Sequence, residues 1–181
     1  MIQGAPIIRT ERAVLRPLVE ADVGQAYLDW FSDPEVVRFI EAARVPQSIE
    51  SLRSFVRLRS GRSDVWFFGI FVGRAERLVG TIKCEPIDAQ ARLAVMGILI
   101  GAADWRGVGL AGELMPAVAL TLHDRLGVRH IDLGVDRENL RACRAYERIG
   151  FRASGETSSG VRMRLDISTL LGTEGGFNAA T

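Results

Sequence analysis

Lysine is nearly missing from this chain: of 23 basic residues, all but Lys83 are arginine. That bias reads as base composition of the coding sequence rather than chemistry. Cysteine and histidine are scarce too, with two of each. Cys84 and Cys143 form neither a disulfide framework nor a metal-ligand spacing. With only His123 and His130 to add, no zinc site or other metal is expected. An excess of one charge is also lacking. The 23 basic and 22 acidic residues leave a formal net charge of +1, too little for a bulk grip on nucleic acid or an anionic membrane. No cationic, apolar leader opens the sequence, and no apolar run reaches the length of a membrane span. The expectation is a cytoplasmic protein with neither nucleic-acid nor membrane partners.

What the chain does contain is a small-residue turn between a strand and a helix. Residues 95–100 form an apolar run that reads as a buried strand, and residues 114–126 carry a helical pattern. Between them lie Arg106, Gly107, Val108, Gly109, Leu110, Ala111 and Gly112. A turn of this kind aims backbone N–H groups and the positive end of the helix dipole at one point, which suits a phosphate or pyrophosphate. Glycines let the chain approach an anion closely and adopt positive φ. A P-loop is excluded, because Leu110 and Ala111 stand where Lys and Ser/Thr would be needed. Gly107, Gly109 and Gly112 match a dinucleotide fingerprint in letters, but they fall mid-chain, and Asp132 or Asp136 makes a poor ribose ligand. The bland alternative is a glycine-rich turn that only packs helix on strand.

A length of 181 residues suits one domain with a single good core. Strands are expected at residues 13–18, 65–72, 78–85, 91–100, 130–135, 151–156 and 161–167. Helices are expected at 20–31, 48–60, 109–126 and 137–149, with Ser48 as an N-cap. Asp33 followed by Pro34 reads as the capped start of a further short helix. The alternation predicts an α/β (mixed α+β) fold, a central mixed sheet of about seven strands with helices on both faces. One domain should cover residues 1–170, with 171–181 a flexible tail.

Arg106-x-x-Gly109-x-Ala111, followed by Asn139-x-x-Ala142-x-x-x-Tyr146-x-x-x-Gly150-Phe151, resembles the GNAT superfamily of acyl-CoA N-acyltransferases. The first block is similar to its pyrophosphate loop, the second to a late helix flanking the pantetheine arm. Val14-Leu15-Arg16-Pro17-Leu18, Trp30 and Asp33-Pro34-Glu35-Val36 are similar to the subgroup that acetylates ribosomal-protein N-terminal alanine or serine, and to relatives acting on polyamines and amino sugars. The resemblance spans roughly residues 9–168. It implies a mostly antiparallel sheet in which a parallel pair, residues 91–100 and 130–135, splays apart, often by a bulge, to admit the cofactor arm.

The same resemblance implies acetyl-CoA as co-substrate. The loop from Arg106 to Gly112 would hold its pyrophosphate, the backbone of Leu99, Ile100 and Gly101 its pantetheine amides, and Asn139 the arm as well. Leu99 and Ile100 are also natural core residues, and Asn139 a natural helix cap. Ala142 stands where many relatives carry serine, so no hydroxyl assists there. Tyr146 is the first candidate for chemistry. Amine attack on a thioester expels a thiolate, and a phenol of pKa near 10 keeps a proton to give. Glu85 is the best-placed carboxylate for a base, though it also reads as a solvated strand-end charge before Pro86. Trp30, Asp33 and Glu35 come from the segment that borders the acceptor pocket in relatives. An aromatic there is commonly core, and a capped short helix explains the two acids as well.

The leading expectation is acetyl transfer to a primary amine, on a protein N-terminus, an amino sugar or another small molecule. It proceeds by direct attack in a ternary complex, because no Ser–His or Cys–His pairing suggests an acyl-enzyme. The rivals are a non-catalytic CoA-binding sensor or partner module and a protein binding another nucleotide. The oligomeric state stays open between monomer and homodimer.

Overall fold

The computed structural model describes residues 4–40, 45–158 and 160–172. Eight strands form one sheet: β1 (Ile8–Arg9), β2 (Ala13–Pro17), β3 (Trp66–Val72), β4 (Arg77–Asp88), β5 (Leu93–Ile100), β6 (His130–Asp136), β7 (Arg152–Glu156) and β8 (Gly160–Asp166). Their spatial order is β1-β2-β3-β4-β5-β6-β8-β7. Every neighbouring pair is antiparallel except β5 and β6. The helices are α1 (Gln25–Trp30), α2 (Pro34–Val37), α3 (Ile49–Arg57), α4 (Leu110–Leu126), α5 (Leu140–Ile149) and α6 (Ser168–Leu171).

Two apolar layers hold the sheet. β3 is buried at all seven positions, as its unbroken apolar run requires. Its alternate residues serve opposite faces. Trp66, Phe68 and Ile70 join the core under α4, whose Leu114, Met115, Val118, Ala119 and Leu122 are buried at helical spacing. Phe67 joins a second core on the other face with Tyr27 and Trp30 of α1 and Leu52 and Val56 of α3. α3 begins as its sequence suggests, with the Ser48 hydroxyl accepting from the Ser51 N–H at 3.0 Å.

Several boundaries differ from expectation for local reasons. The helix expected over residues 20–31 is interrupted: a 3-10 turn at Glu20–Asp22 gives way to extended backbone at Val23, and α1 starts after Gly24. Val23 is fully buried, so seating its side chain in the second core takes precedence over helical continuity. α5 begins at Leu140 rather than at residue 137, because the Asp136 carboxylate accepts from the Glu138 N–H and Asn139 takes the cap. β4 runs past residue 85 to Asp88, with one extra residue on β4 between Cys84 and Ile87. The short strand β1 and helix α6 had no periodicity long enough to be read. Residues 173–181 of the expected tail lie outside the described residues.

The end of β5 is pinned to the second core. A methyl group on Gly101 would overlap the indole of Trp30. Gly101→Ala should therefore lower stability by about 1–3 kcal/mol through overpacking, read as a shifted denaturation midpoint. An unchanged midpoint would mean that the indole moves aside freely.

Candidate active site

β5 and β6 are paired only at Leu93↔His130, Ala94↔Ile131 and Val95↔Asp132. Beyond that, β5 continues with β4 as far as Ile100↔Gly80, and β6 continues with β8 as far as Asp136↔Gly160. The two halves of the sheet therefore diverge along Met96–Ile100 on one side and Leu133–Asp136 on the other. The bulge lies on β4 rather than on either diverging strand. Because β5 and β6 are parallel, their C-terminal ends share one edge of the sheet. Each is followed by a helix, so the N-termini of α4 and α5 meet at the mouth of the opening. This is where open α/β sheets bind ligands.

The loop at that mouth is shaped by two left-handed residues, Gly107 at φ 77° and Gly109 at φ 82°. Gly109 is the N-cap of α4 and has no side chain to offer, so the first-turn N–H groups are not capped by any side chain. These donors and the dipole form an anion seat. The Arg106 side chain does not reach into it. Its guanidinium, 8% exposed, donates to the Ile100 carbonyl at 3.1 Å, to the Gly101 carbonyl and to Asp33 at 2.7 Å, with Glu35 at 3.3 Å. From the far end of the sheet, Arg12 donates to the Val108 carbonyl at 2.8 Å and to Glu113 of α4 at 2.6 Å. A third arginine, Arg141 of α5, brings Nη1 to 3.7 Å from where a Cβ on Gly107 would stand. Neither Arg12 nor Arg141 was signalled by sequence. Arg12 and Glu113 are 101 residues apart, and no local pattern links them.

The backbone of the β5 end is partly committed. Gly101 and Ala102 both donate to the Val79 carbonyl, while the Ile100 and Gly101 carbonyls serve Arg106. Leu99 lies half-buried against the second core. On α5, Asn139 accepts from the Ala142 N–H at 3.1 Å, which leaves its amide NH2 unspent by the cap. Tyr146 packs beside Phe151, with ring centroids 5.8 Å apart. Burial, and then the neighbouring Cys143, push its phenol up to about 12. Burial also raises the Cys143 thiol, so it makes a poor thiolate nucleophile.

Glu85 sits on β4 facing α3, not alone. It takes Arg59 and Arg62 at 2.7 Å each and Lys83 at 3.0 Å. Burial pulls its pKa up, but hydrogen bonds and charge from Lys83 and Arg59 outweigh that and hold the carboxyl below its usual range. That environment suits an ionic tie between β4 and the turn that follows α3, and weakens the group as a proton acceptor. Trp30 is 7% exposed and packs edge-on with Tyr27, which seats it in the core. Asp33 caps α2, accepting from the Glu35 N–H at 2.9 Å, and pairs with Arg106. The Arg106 hydrogen bond, then that backbone bond, hold the Asp33 carboxyl below its usual range. Glu35 is exposed. The segment expected to face an acceptor is thus tied to the loop by one guanidinium. On the α3 side of the sheet, Val95 and Gly97 are exposed and leave an open floor beside Lys83. Among the described residues no three metal-binding side chains cluster, and no helix is long and apolar enough to cross a membrane.

Comparison with known proteins agrees with this geometry. The family model described as acetyltransferase (GNAT) domain matches residues 12–152. Probable N-acetyltransferase YjcK of Bacillus subtilis is 27% identical over 106 residues, a segment covering 58% of this chain and 58% of that protein. The match therefore spans little more than half the length of that relative. Among solved structures, the ribosomal L7/L12 α-N-protein acetyltransferase RimL in complex with coenzyme A superposes with TM-score 0.77 at 17% identity, covering 90% of this chain and 98% of that one. A chimera of spermidine N-acetyltransferase SpeG from Vibrio cholerae and hSSAT gives 0.76 at 21%, covering 89% and 99%. At these identities the structures establish a shared fold.

The Arg106–Asp33 pair makes a separable test. Asp33→Asn keeps the helix cap but removes the counter-charge; Asp33→Ala removes both. Stability should drop in that order, by roughly 1–3 kcal/mol for Asp33→Ala, given a pair that is only partly buried. Hydrogen exchange at Gly107–Gly109 should accelerate in both variants. Wild-type exchange in both would mean that the pair does not hold the loop.

Proposed function

Because the chain belongs to the acetyltransferase (GNAT) domain family, we propose that this acetyltransferase moves the acetyl group of acetyl-CoA to a primary amine by direct attack. The observation that carries this reading is the opening between β5 and β6, which ends at an uncapped two-glycine helix start. An extended pantetheine arm can lie in such an opening as a surrogate strand, pairing with backbone left free beyond Val95. Its pyrophosphate then meets the α4 N-terminus, where Gly107 and Gly109 leave room for it. RimL was solved with coenzyme A, on the same fold. Asn139, at the start of α5, would add a hydrogen bond to the arm.

In the step itself, the amine nitrogen bonds to the thioester carbonyl carbon and the carbon–sulfur bond breaks. The nitrogen loses a proton and the departing sulfur gains one. Tyr146 is assigned as donor to that sulfur. With a pKa of about 12 its phenol stays protonated across the neutral range. Full transfer to a thiolate of pKa near 8.5 is uphill unless the ammonium proton is passed on in the same step. A water relays the amine proton to the Tyr146 oxygen as the phenol proton moves to sulfur, which restores the phenol; Glu85 does not take that proton, because its three cations disfavour protonation. The acceptor enters over the exposed floor of Val95 and Gly97, below α1 and α2. Its class is a primary amine on a protein N-terminus, an amino sugar or another small molecule.

Two measurements test the reading. Acetyl-CoA should stabilise the fold by the mass-action amount, about 2.7 kcal/mol at a hundredfold excess over Kd, and so raise the melting temperature, while NAD should not. Gly109→Glu should abolish the shift, since it puts bulk and negative charge into the anion seat. A shift with NAD and none with acetyl-CoA would sink the assignment. Tyr146→Phe should lower kcat by roughly 10²-fold with little change in acetyl-CoA affinity. A kcat near wild type would return Tyr146 to a packing role, whereas binding of acetyl-CoA with no acetyl transfer to any amine would favour a non-catalytic CoA-binding module.

A further inference from the structure

Helix α5 carries an unbalanced row of charge. Arg141, Arg144 and Arg148 stand at i, i+3 and i+7, on one exposed face within a single stripe. None of the three has a carboxylate partner among the described residues, unlike Arg12, Arg106 and Arg137. Arg144 and Arg148 are an i,i+4 like-charge pair, which destabilises an isolated helix. Arg141 is worse placed still. It lies in the first turn of α5, at the positive end of the dipole, and that turn contains no acid to offset it. The Arg148 side chain folds back toward the N-terminus, its Nε donating to the Arg144 carbonyl at 3.1 Å, so its charge adds to that of Arg144. Arg152 is different: its guanidinium is spent on the Glu147 and Phe151 carbonyls at the helix end.

The row begins at the loop. Arg141 already reaches the space above Gly107. Arg144 lies one turn farther, about 4.5 Å along the axis, at the edge of an open hollow of about 700 Å³ that Glu147, Arg148 and Arg152 also line. Two exposed apolar side chains, Val108 in the loop and Leu140 at the start of α5, flank the same mouth. Together these are an apolar rim for a base and two cations beyond the pyrophosphate seat, arranged for a second, separate phosphate. We propose that Arg141 and Arg144 bind the 3′-phosphomonoester of the coenzyme, so that this chain discriminates 3′-phosphorylated from 3′-dephosphorylated coenzyme; the inference rests on the acetyl-CoA reading above. A phosphomonoester carries close to two charges at neutral pH and accepts charge-assisted hydrogen bonds from two guanidinium groups. Its binding offsets both the like-charge repulsion and the misplaced dipole charge.

The test is calorimetric titration of the full chain with acetyl-CoA and with acetyl-3′-dephospho-CoA. Wild type should bind the phosphorylated form roughly 10-fold or more tightly, with the gap narrowing as salt is raised. Arg144→Gln and Arg141→Gln should each shrink that ratio toward one. Arg144→Gln should leave affinity for the dephospho form unchanged. Arg152→Gln, a comparable loss of charge nearby, should keep the wild-type ratio. Equal wild-type affinities for the two coenzymes would overturn this inference and leave the acetyl-CoA reading standing. An equal loss of ratio in Arg152→Gln would reduce it to a diffuse charge effect and overturn it as well. Binding of neither coenzyme would overturn the acetyl-CoA reading itself, and this inference with it.

Discussion

A parallel strand pair that parts inside a sheet leaves backbone donors and acceptors on both lips, and those groups must be satisfied. The rest of this molecule follows from that constraint. On the β5 lip, a buried guanidinium substitutes for part of the missing strand, with Arg106 taking the Ile100 and Gly101 carbonyls. A buried guanidinium in turn needs counter-charge, which Asp33 and Glu35 supply from α2. The helical layer on one face is thereby coupled to the glycine loop at the sheet edge. What remains between the lips is an open slot where β5 and β6 no longer pair.

Arginine does this work repeatedly, and lysine could not. Arg106 forks over four acceptors, Arg12 joins a loop carbonyl to a helix carboxylate, and Arg164 grips Asp132 through two parallel bonds of 2.6 and 2.8 Å. A lysine ammonium is a compact point charge without that planar fork. The near absence of lysine, which reads as mere composition in the sequence, is therefore matched by structural use. The overall charge near zero is equally misleading at short range. Around Glu85, three cations share one carboxylate, while along α5 three arginines have no carboxylate partner among the described residues. Fields at these places are set by spacing on elements, not by the sum over the chain.

Much of the fold was legible. The apolar run of β3, the capped starts of α2 and α3, the glycine stop at Gly150 and the turn before α4 are local signals, and each produced the element expected of it. The splayed parallel pair and the sheet with helices on both faces also agree with expectation, with eight strands where about seven were foreseen. The breaks were less legible. Val23 interrupts a helical pattern because its burial outweighs the local preference, and burial is a property of the whole fold. Likewise nothing in the periodicity of residues 78–85 says that the strand carries an extra residue and continues.

The candidate site divides along the same line. Local residue order dictates the backbone chemistry: two glycines that can adopt positive φ, a helix start without a capping side chain, and a tyrosine four residues before a glycine stop. These depend on neighbours within a few positions, so they survive any arrangement of the rest. The side-chain partners follow from the assembled fold. It turned Arg106 away from the loop mouth and toward Asp33, surrounded Glu85 with cations from β4 and the turn after α3, buried Trp30 against Gly101, and brought Arg12 and Arg141 to the loop. Ion pairs and close packing join residues tens of positions apart, and their geometry exists only once the sheet has assembled.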